Sequence, residues 1–409
     1  MRPQRIRLLH FITGPSPSHY FNAIGAKVDR DRFDVTVGTL SPPGQLQEDM
    51  ASRGLGTFGL GYTSRWEFPR AVVELAALLR RERFDILQVH LFEASLVGLA
   101  AGSLARTPLK IFTGHHSAEL LRHDKGHLLL ADCLCTRLLC DFVLSPSDET
   151  KRIFVDKEGV DPDRVAVIGY PLDLDAWAPP ASARDRVREE LSLPQDGPVF
   201  GACGRLFELK NFPDMLRSFA LFAQRKSEGH LVIVGDGPDR AKIEGLSRDL
   251  SIESRVRFAG RRSDVADVFA AIDVFVHASR VESCCQVLIE AGLVGKPILS
   301  TPVPPIRKLV VDRVSGWIVP VGDCSAMAEA MVDAVERSRE WPAMGAQVKR
   351  RANEYGSATI VPKMEAQYLC WLAKVGRKPR PPARIGGHVP RPGGRDAHPP
   401  SDPSRSEYR

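Results

Sequence analysis

The chain has 409 residues, 43% of them hydrophobic, so it is globular and longer than one hydrophobic core normally supports. We therefore expect two domains. The formal net charge is +6, but residues 376–409 hold eight Lys or Arg against three Asp or Glu, which leaves the rest of the chain nearly neutral. A neutral folded body argues against nucleic acid as a partner, because binding its phosphates requires a basic face.

Short β-branched and apolar runs alternate with helical patterns through the first part of the chain. The predicted strands there are Ile6–Ile12, Phe33–Leu40, Phe84–Leu91, Leu109–Thr113 and Phe142–Leu144. Such alternation is typical of parallel βαβ units. We therefore expect an α/β domain over residues 1–177.

A leucine-rich pattern between the last two of these strands carries a group of potential metal ligands. They are His123, His127, Cys133, Cys135 and Cys140. The group lacks the C-x2-C pair of a zinc knuckle, and its helical periodicity indicates a buried amphipathic helix instead. We expect no metal ion in this protein.

Compartment and membrane topology follow from the apolar runs. The eight cysteines lie mostly inside such runs, and no secretory h-region precedes the first turn. No stretch approaches the roughly 20 consecutive apolar residues that a membrane span requires. We expect a reduced, cytoplasmic protein.

The composition changes at residues 178–197, where proline-rich segments flank a charged helix, and we predict a linker there. The alternation then resumes with strands predicted at Val199–Cys203, His230–Val234, Arg255–Ala259, Val274–His277 and Pro297–Thr301. We expect a second α/β domain over residues 198–351, a helix over 352–375 and a disordered tail rich in Pro, Gly and Arg over 376–409. Ligands should bind at the carboxyl ends of the strands, between the two domains.

Cations follow the first strand of the second domain. Gly204 and Arg205 form a turn after this strand, and Lys210 and Asn211 close the loop. A guanidinium and an ammonium on a short rigid loop can grip a diphosphate, although two solvated surface cations are the alternative. Asn211 should cap the helix that follows.

Two glutamates, Glu282 and Glu290, follow a later strand with seven residues between them. We predict a loop carrying Glu282 and a helix from about Cys285 to Val294 carrying Glu290. The helix N-terminus presents free amides to phosphate, and the two carboxylates can accept hydroxyl groups of a sugar and a ribose. In the alternative interpretation, Glu282 is solvated and Glu290 pairs with Arg262 or Arg280.

These residues together resemble glycosyltransferase family 4 over nearly all of residues 5–374. Besides the cationic loop and the glutamate pair, the matching segments are Val234–Pro238 (Val-Gly-Asp-Gly-Pro), Phe258–Gly260 with Asp264 and Val265, Gly295–Ile298, and Gly316–Pro320 with Gly322 and Asp323. The ordered set is much more specific than any member. The resemblance implies the GT-B fold, in which two Rossmann-like domains face each other across a cleft and a C-terminal helix crosses back to the first.

The same resemblance implies a retaining glycosyltransferase that would use a nucleotide-diphospho-sugar and need no metal ion or other cofactor. Arg205 and Lys210 would hold the diphosphate, beside Gly204, and stabilise the leaving phosphate. Glu290 would bind the ribose and Glu282 the transferred hexose. Donor contacts are also expected from Ser283, Cys284, Cys285 and, against the base, Gly260.

The first domain would carry the acceptor, and its resemblance is weaker. Gly14 would approach the donor phosphate, and Ser18 and His19 could contact acceptor or phosphate. His115 lies in the segment Thr113-Gly-His-His, which matches the family's Thr-x-His pattern, and would bond the transferred sugar; a buried, backbone-bonded histidine is the alternative. We expect His90 to be structural.

The chain departs from the family where many relatives have a Gly-Gly pair followed by Pro-Glu. Here the segment reads Pro302-Val-Pro-Pro-Ile-Arg-Lys308, so two prolines stiffen the loop and two cations replace an acid. We expect this change to affect donor binding more than catalysis.

The leading hypothesis is a transferase that moves a hexose from a UDP- or GDP-linked donor to a glycan or lipid-linked acceptor, in polysaccharide or glycolipid biosynthesis. The basic tail could bring it to the inner face of a membrane as a peripheral protein. Two alternatives stay open: a nucleotide-sugar epimerase or hydrolase of the same fold, and a noncatalytic nucleotide-sugar-binding protein on a degenerate transferase scaffold.

Overall fold

The computed structural model describes residues 5–114 and 133–376. The predicted site residue His115 and the tail from residue 377 onward lie outside these described residues, as do His123 and His127.

The first lobe is built on a seven-stranded sheet whose strands are all parallel, in the order β3-β2-β1-β4-β5-β6-β7. The strands are β1 (Ile6–Ile12), β2 (Phe33–Thr39), β3 (Gly56–Gly59), β4 (Ile86–His90), β5 (Leu109–Thr113), β6 (Phe142–Ser145) and β7 (Val165–Val167). Its helices include α1 (His19–Lys27), α2 (Gln45–Ser52), α3 (Phe68–Glu82), α4 (Phe92–Ala105) and α5 (Asp148–Arg152). The order reverses between β1 and β4, which opens a crevice at the carboxyl ends of these strands.

The second lobe repeats this plan on a six-stranded parallel sheet in the order β10-β9-β8-β11-β12-β13. Its strands are β8 (Val199–Cys203), β9 (His230–Val234), β10 (Val256–Gly260), β11 (Val274–His277), β12 (Ile298–Ser300) and β13 (Gly316–Ile318). The helices from the linker onward are α6 (Ala183–Glu190), α7 (Phe212–Arg225), α8 (Arg240–Asp249), α9 (Val265–Ala271), α10 (Gln286–Leu293), α11 (Ile306–Leu309), α12 (Cys324–Glu336), α13 (Trp341–Ala352) and α14 (Ser357–Lys374). The corresponding crevice opens between β8 and β11.

The helices cover the sheets because each presents an apolar stripe to the strands. In α7, Met215, Leu216, Phe219 and Phe222 are buried, as the helical spacing predicts, and Pro213 occupies the first turn, where no amide partner is lost. Apolar clusters fill both faces of the sheets, and one of them runs continuously from the first lobe into the second. The lobes therefore share part of their core.

The last helix, α14, returns to the first lobe and packs against α1 there. The ring of Trp371 stacks on Phe142 with centroids 4.8 Å apart, and the hydroxyl of Tyr368 donates to Gln88 Oε1 at 2.5 Å. Ile360 and Met364 are buried on the same side. The two-lobed parallel architecture and this crossing helix confirm the predicted fold class.

No helix within the described residues is both long and apolar enough to span a membrane.

Candidate active site

The facing crevices enclose a cavity of about 620 Å³ between the lobes. The first lobe contributes Ile12, Pro17, Ser18, His19, Tyr20, Phe21, Leu91 and Tyr170, and the second contributes Arg205, Phe207, Lys210, Val281, Glu282, Ser283, Cys284 and Gln286. The cavity thus joins both cations of the predicted diphosphate loop to the predicted sugar-binding carboxylate.

A second cavity of about 660 Å³ lies within the second lobe, at the carboxyl ends of β8, β9 and β10. It is lined by Cys203, Gly204, Arg205, Val234, Gly235, Asp236, Gly237, Pro238, Arg261, Arg262 and Val265. Arg205 lines both cavities. A ligand with a diphosphate near Arg205 could therefore place one end in each.

The loop that carries Arg205 is held in place by backbone hydrogen bonds. The amide of Gly204 donates to Val234 O at 3.0 Å, and that of Leu206 donates to Asp236 O at 2.9 Å. Two glycines of the Gly-Asp-Gly segment make this approach possible. A Cβ on Gly235, whose φ is +132°, would lie 1.9 Å from Gly204 O, and one on Gly237 would lie 2.3 Å from Leu206 O. These glycines are required for packing the cationic loop, whatever ligand it binds.

The same loop corrects one prediction. Asn211 stands at the start of α7, but its side chain does not accept a hydrogen bond from the first turn. Its backbone is left-handed, with φ +54°, and its Nδ2 donates to Asp214 Oδ2 at 2.8 Å. The left-handed conformation turns the chain between the 3-10 turn Glu208–Lys210 and the helix.

Glu282 is the centre of a hydrogen-bonded group on the cleft wall. Its Oε1 accepts from Lys210 Nζ at 2.5 Å and from Ser279 Oγ at 2.7 Å, and lies 3.2 Å from His277 Nε2. Among the described residues no hydrogen bond reaches Oε2. One carboxylate oxygen is therefore anchored and the other is available to a ligand.

The charges of this group are mutually stabilised. Burial alone would raise the pKa of Glu282, but the hydrogen bond from His277 and the charge of Lys210 outweigh it and lower that pKa to about 2. Burial acts to lower the pKa of Lys210, and the Glu282 carboxylate reverses this effect, so the pKa is raised. Burial lowers the pKa of His277, so its imidazole is neutral and can donate from Nε2.

His277 and Ser279 were not predicted as site residues. Their signal in the sequence is position alone: His277 ends β11, and Ser279 follows it in the loop that leads to Glu282. A polar residue at the carboxyl end of a strand beside the reversal in strand order is the feature that would have identified them.

His277, Glu282 and Cys285 also form the group of described residues best suited to hold a metal ion, with one ligand atom of each within 4.8 Å of the others. The ammonium of Lys210 already contacts Glu282 Oε1, and Cys285 Sγ lies 3.2 Å from His277 Nε2. A divalent cation would have to compete with this ammonium. We assign these atoms to the internal hydrogen-bond network.

Glu290 lies on α10 and is partly buried, and no described residue forms an ion pair with it. The two arginines considered as its partners are engaged elsewhere: Arg262 pairs with Asp264 and Glu190, and Arg280 lies 3.9 Å from Asp214. Burial raises the pKa of Glu290 to about 7. Burial and, secondarily, the Glu290 carboxyl raise the pKa of Cys203, a lining residue of the second cavity, to about 12. Glu290 itself is not among the residues that line that cavity.

The segment after Glu282 leads into α10, which spans Gln286–Leu293, within one residue of the predicted bounds. Ser283 and Cys284 line the cleft, whereas Cys285 is buried and its amide donates to Pro304 O at 2.9 Å. Gln286 also lines the cleft and begins the helix. Burial raises the pKa of the Cys284 thiol to about 12, so this cleft-facing thiol is protonated at neutral pH.

Of the remaining predicted residues, two line the cleft and two line neither cavity. Ser18 caps α1 by accepting from Phe21 N, and both Ser18 and His19 line the cleft. Gly14 lies in the loop after β1 but does not line either cavity, and Gly260, with φ +67°, precedes the lining residue Arg261.

His90 is fully buried, and its Nε2 lies 3.0 Å from Nδ1 of His10. This buried pair agrees with the structural role predicted for His90. Cys140 is also buried, and its thiol donates to Phe142 O at 2.7 Å.

Comparison with known proteins agrees with this architecture. A family described as Glycosyltransferase Family 4 matches residues 19–176, and one described as Glycosyl transferases group 1 matches residues 183–354. The crystal structure of HepE from Anabaena in complex with UDP and glucose superimposes with a TM-score of 0.79, over 90% of this chain and 100% of that one, at 18% identity. At this identity the superposition supports the fold alone.

Other relatives share more of the sequence. The chain is 28% identical over 278 residues to the UDP-Gal:alpha-D-GlcNAc-diphosphoundecaprenol alpha-1,3-galactosyltransferase of Escherichia coli, covering 64% of this chain and 69% of the relative. It is 27% identical over 340 residues to the D-inositol 3-phosphate glycosyltransferase of Mycolicibacterium smegmatis, covering 78% of this chain and 75% of the relative. The two family matches together cover most of both lobes, and the chain belongs to the family 4-like glycosyltransferases.

Proposed function

We propose that the protein is a retaining transferase that moves a hexose from a UDP- or GDP-linked donor to a glycan or lipid-linked acceptor. The observation that supports this proposal most directly is the position of Arg205, which lines both cavities. A nucleotide diphosphate sugar has the matching chemistry, with a nucleoside at one end, a hexose at the other and two phosphates between them.

In this proposal the nucleoside occupies the cavity within the second lobe. The base lies near Gly260 and Arg261, and the ribose hydroxyls donate to Glu290. Gly204, Arg205 and Lys210 hold the diphosphate, with help from amides at the start of α10. Lys210 then exchanges part of its contact with Glu282 for the phosphate.

The hexose lies in the cleft, where Glu282 Oε2 accepts one of its hydroxyl groups and the Ser283–Cys285 segment contacts the others. His115 remains the predicted first-lobe partner of this sugar, and Gly14 the predicted neighbour of the donor phosphate. The bond between hexose C1 and the phosphate oxygen breaks, and the acceptor oxygen bonds to C1 from the same side. The acceptor's proton leaves on the diphosphate, whose developing charge Arg205 and Lys210 stabilise.

We propose that no metal ion takes part. The two cations supply the charge that a divalent ion would otherwise bring to the phosphates. Activity that is unchanged by EDTA and by added Mg²⁺ or Mn²⁺ would support this assignment, and a requirement for either ion would contradict it.

The acceptor would enter from the first-lobe side, past Ser18 and His19. The Escherichia coli relative acts, by its name, on a sugar attached to diphosphoundecaprenol, which supports a lipid-linked acceptor here. We further propose peripheral association with the inner membrane face through the basic tail. Co-sedimentation with anionic vesicles that is lost when residues 377–409 are deleted would support this role; unchanged co-sedimentation would contradict it.

The donor proposal is tested by a ligand-observed NMR screen of UDP-, GDP- and ADP-sugars against the native chain, Lys210→Ala and Glu290→Ala. We expect one donor class to bind the native chain and to bind both variants more weakly. With an acceptor present, NMR of the product gives the anomeric configuration, and inversion at C1 would contradict the retaining mechanism.

The same experiment separates the alternative functions. Release of free hexose without acceptor would indicate a hydrolase. Conversion of the donor to a second nucleotide sugar would indicate an epimerase. Binding without turnover across many acceptors would indicate a noncatalytic protein. If no nucleotide sugar binds, the donor proposal is wrong.

A further inference from the structure

Two hydroxyl groups of the first lobe contact one carbonyl of the second lobe. Ser147 Oγ lies 2.6 Å from Ser283 O, and Thr150 Oγ1 lies 3.0 Å from the same oxygen. Ser147 precedes α5 and Thr150 lies within it, at the carboxyl end of β6. The exposed fractions of the three residues are 4%, 1% and 7%. The contact is therefore shielded from water, which strengthens hydrogen bonds relative to those at the surface.

The two hydroxyls form a small ordered network. Ser147 Oγ accepts from the amide of Thr150 at 3.1 Å, which caps α5, so its own hydrogen is free to point at Ser283 O. Thr150 Oγ1 lies 2.9 Å from Ser147 Oγ. A carbonyl oxygen has two lone pairs, so both hydroxyls can donate to it at once.

This carbonyl belongs to the segment that lines the cleft directly after Glu282. In a trans peptide the C=O and the following N–H point in opposite directions. Because Ser283 O faces α5, the amide of Cys284 points away from α5. The next amide, that of Cys285, donates to Pro304 O at 2.9 Å. The backbone orientation of the segment is thus held from the first lobe on one side and by the proline loop on the other.

Other contacts already join the lobes without these hydroxyls. The amide of Leu172 donates to Tyr355 O at 3.0 Å, and that of Ser357 donates to Leu172 O at 2.7 Å. At the surface between the lobes, Lys308 Nζ lies 2.7 Å from Asp148 Oδ2, with both side chains more than half exposed. The Ser147 and Thr150 contact differs from these two because it fixes the backbone of the segment next to Glu282, where Cys284 is also hydrogen-bonded to the Tyr170 backbone.

We propose that Ser147 and Thr150 are positioning residues that orient the Ser283–Cys285 segment for the donor sugar, and that they do so only when the lobes are closed. Separation of the lobes breaks both hydrogen bonds, and the segment then loses the constraint on Ser283 O. Closure of the cleft is in this way coupled to formation of the sugar site. The inference rests on the proposed function, since it assigns the sugar end of the donor to this segment.

The test compares Thr150→Val, Ser147→Ala and the double variant with the native chain. Thr150→Val removes one donor, preserves side-chain shape and leaves the cap of α5 intact. Thr150→Ser restores the hydroxyl and serves as the rescue variant. Lys308→Ala is the matched control, because it removes a contact between the lobes that does not touch the segment.

The first readout needs no ligand. Amide hydrogen exchange in a peptide spanning residues 282–288 should be about tenfold faster in the double variant than in the native chain. In Lys308→Ala the exchange rate should equal that of the native chain. Unchanged exchange would overturn the proposal even if no donor were known, which separates its failure from failure of the proposed function.

The second readout is calorimetric titration with UDP and UDP-glucose, together with turnover. For the double variant we expect the affinity for UDP to stay within about twofold of the native value. The extra affinity that the glucose contributes should be lost, and kcat should fall about tenfold. Equal losses for UDP and UDP-glucose would indicate a merely structural role and overturn the proposal. If the double variant does not fold, Thr150→Val and its rescue by Thr150→Ser decide the question in the same way.

Discussion

Burial of the Glu290 carboxyl predicts that donor binding weakens as the pH falls from 8 to 6. No cation among the described residues pairs with this carboxyl, and burial raises its pKa to about 7. If the ribose hydroxyls of the donor bind Glu290 as proposed, they donate hydrogen bonds to it, so the ionised form binds the donor better. Binding therefore favours release of the proton, and protonation opposes binding.

The magnitude follows from the pKa. With a pKa of about 7, the ionised fraction is about 90% at pH 8 and about 10% at pH 6. If only the ionised form binds, the affinity falls about tenfold, or about 1.4 kcal/mol, over this range. Glu282 makes no contribution, because its pKa is lowered to about 2 and it stays ionised throughout.

The assay is isothermal titration with a nucleotide sugar between pH 5.5 and 8.5. A nucleotide sugar is preferable to the free nucleotide, because both ends of its diphosphate are esterified and no phosphate titrates in this range. Glu290→Gln should bind more weakly than the native chain at pH 8 and show no pH dependence. His19→Asn controls for the imidazole that lines the cleft.

A tenfold fall that persists in Glu290→Gln would refute the assignment, as would a flat profile in the native chain. The ligand-free protein supplies an independent check. A folded pKa of about 7 against an ordinary value of 4.5 means that stability is lost as the pH rises between these values. Glu290→Gln should therefore be more stable than the native chain at pH 8, by at most roughly 3 kcal/mol.

Three further predictions concern the loop, its glycines and the last helix. Lys210→Ala should lower turnover about 100-fold or more and raise the pKa of Glu282. Lys226→Ala is the surface control. Near-native turnover of Lys210→Ala would show that Lys210 takes no part in the mechanism. Gly235→Ala should destabilise the protein by about 2 kcal/mol or more in denaturant unfolding, because its Cβ would lie 1.9 Å from Gly204 O, whereas Gly245→Ala within α8 should be neutral or stabilising. Equal effects of the two substitutions would contradict the packing argument. Truncation before Ala352 should destabilise the protein, because each buried apolar side chain of α14 contributes about 1.5–3 kcal/mol. Deletion after Val375 should leave the melting temperature unchanged. An insoluble product of this shorter deletion would show that the tail contributes to the fold.

The strands at the centre of both sheets could be predicted from their own residues. Continuous β-branched and apolar runs such as Leu109–Thr113 and His230–Val234 appear in the structure with the predicted bounds. Three short strands were missed: β3, β7 and β13. All three lie at sheet edges. An edge strand of three or four residues is formed by pairing with its neighbour, so its own sequence carries little signal.

The ordered motifs alone were sufficient to recognise the family and to predict that Arg205, Lys210 and Glu282 would meet. Only the tertiary structure showed that Lys210 and Glu282 contact each other and that His277 and Ser279 anchor the same carboxylate oxygen. It also replaced the predicted cap by Asn211 with a left-handed turn. Local patterns specify which residues follow a strand, because strand and helix periodicity are properties of neighbouring residues. Ser147 and Ser283 are 136 residues apart in the sequence, and their hydrogen bond depends on how the two lobes pack. A local sequence pattern does not determine contacts between residues so far apart in the chain.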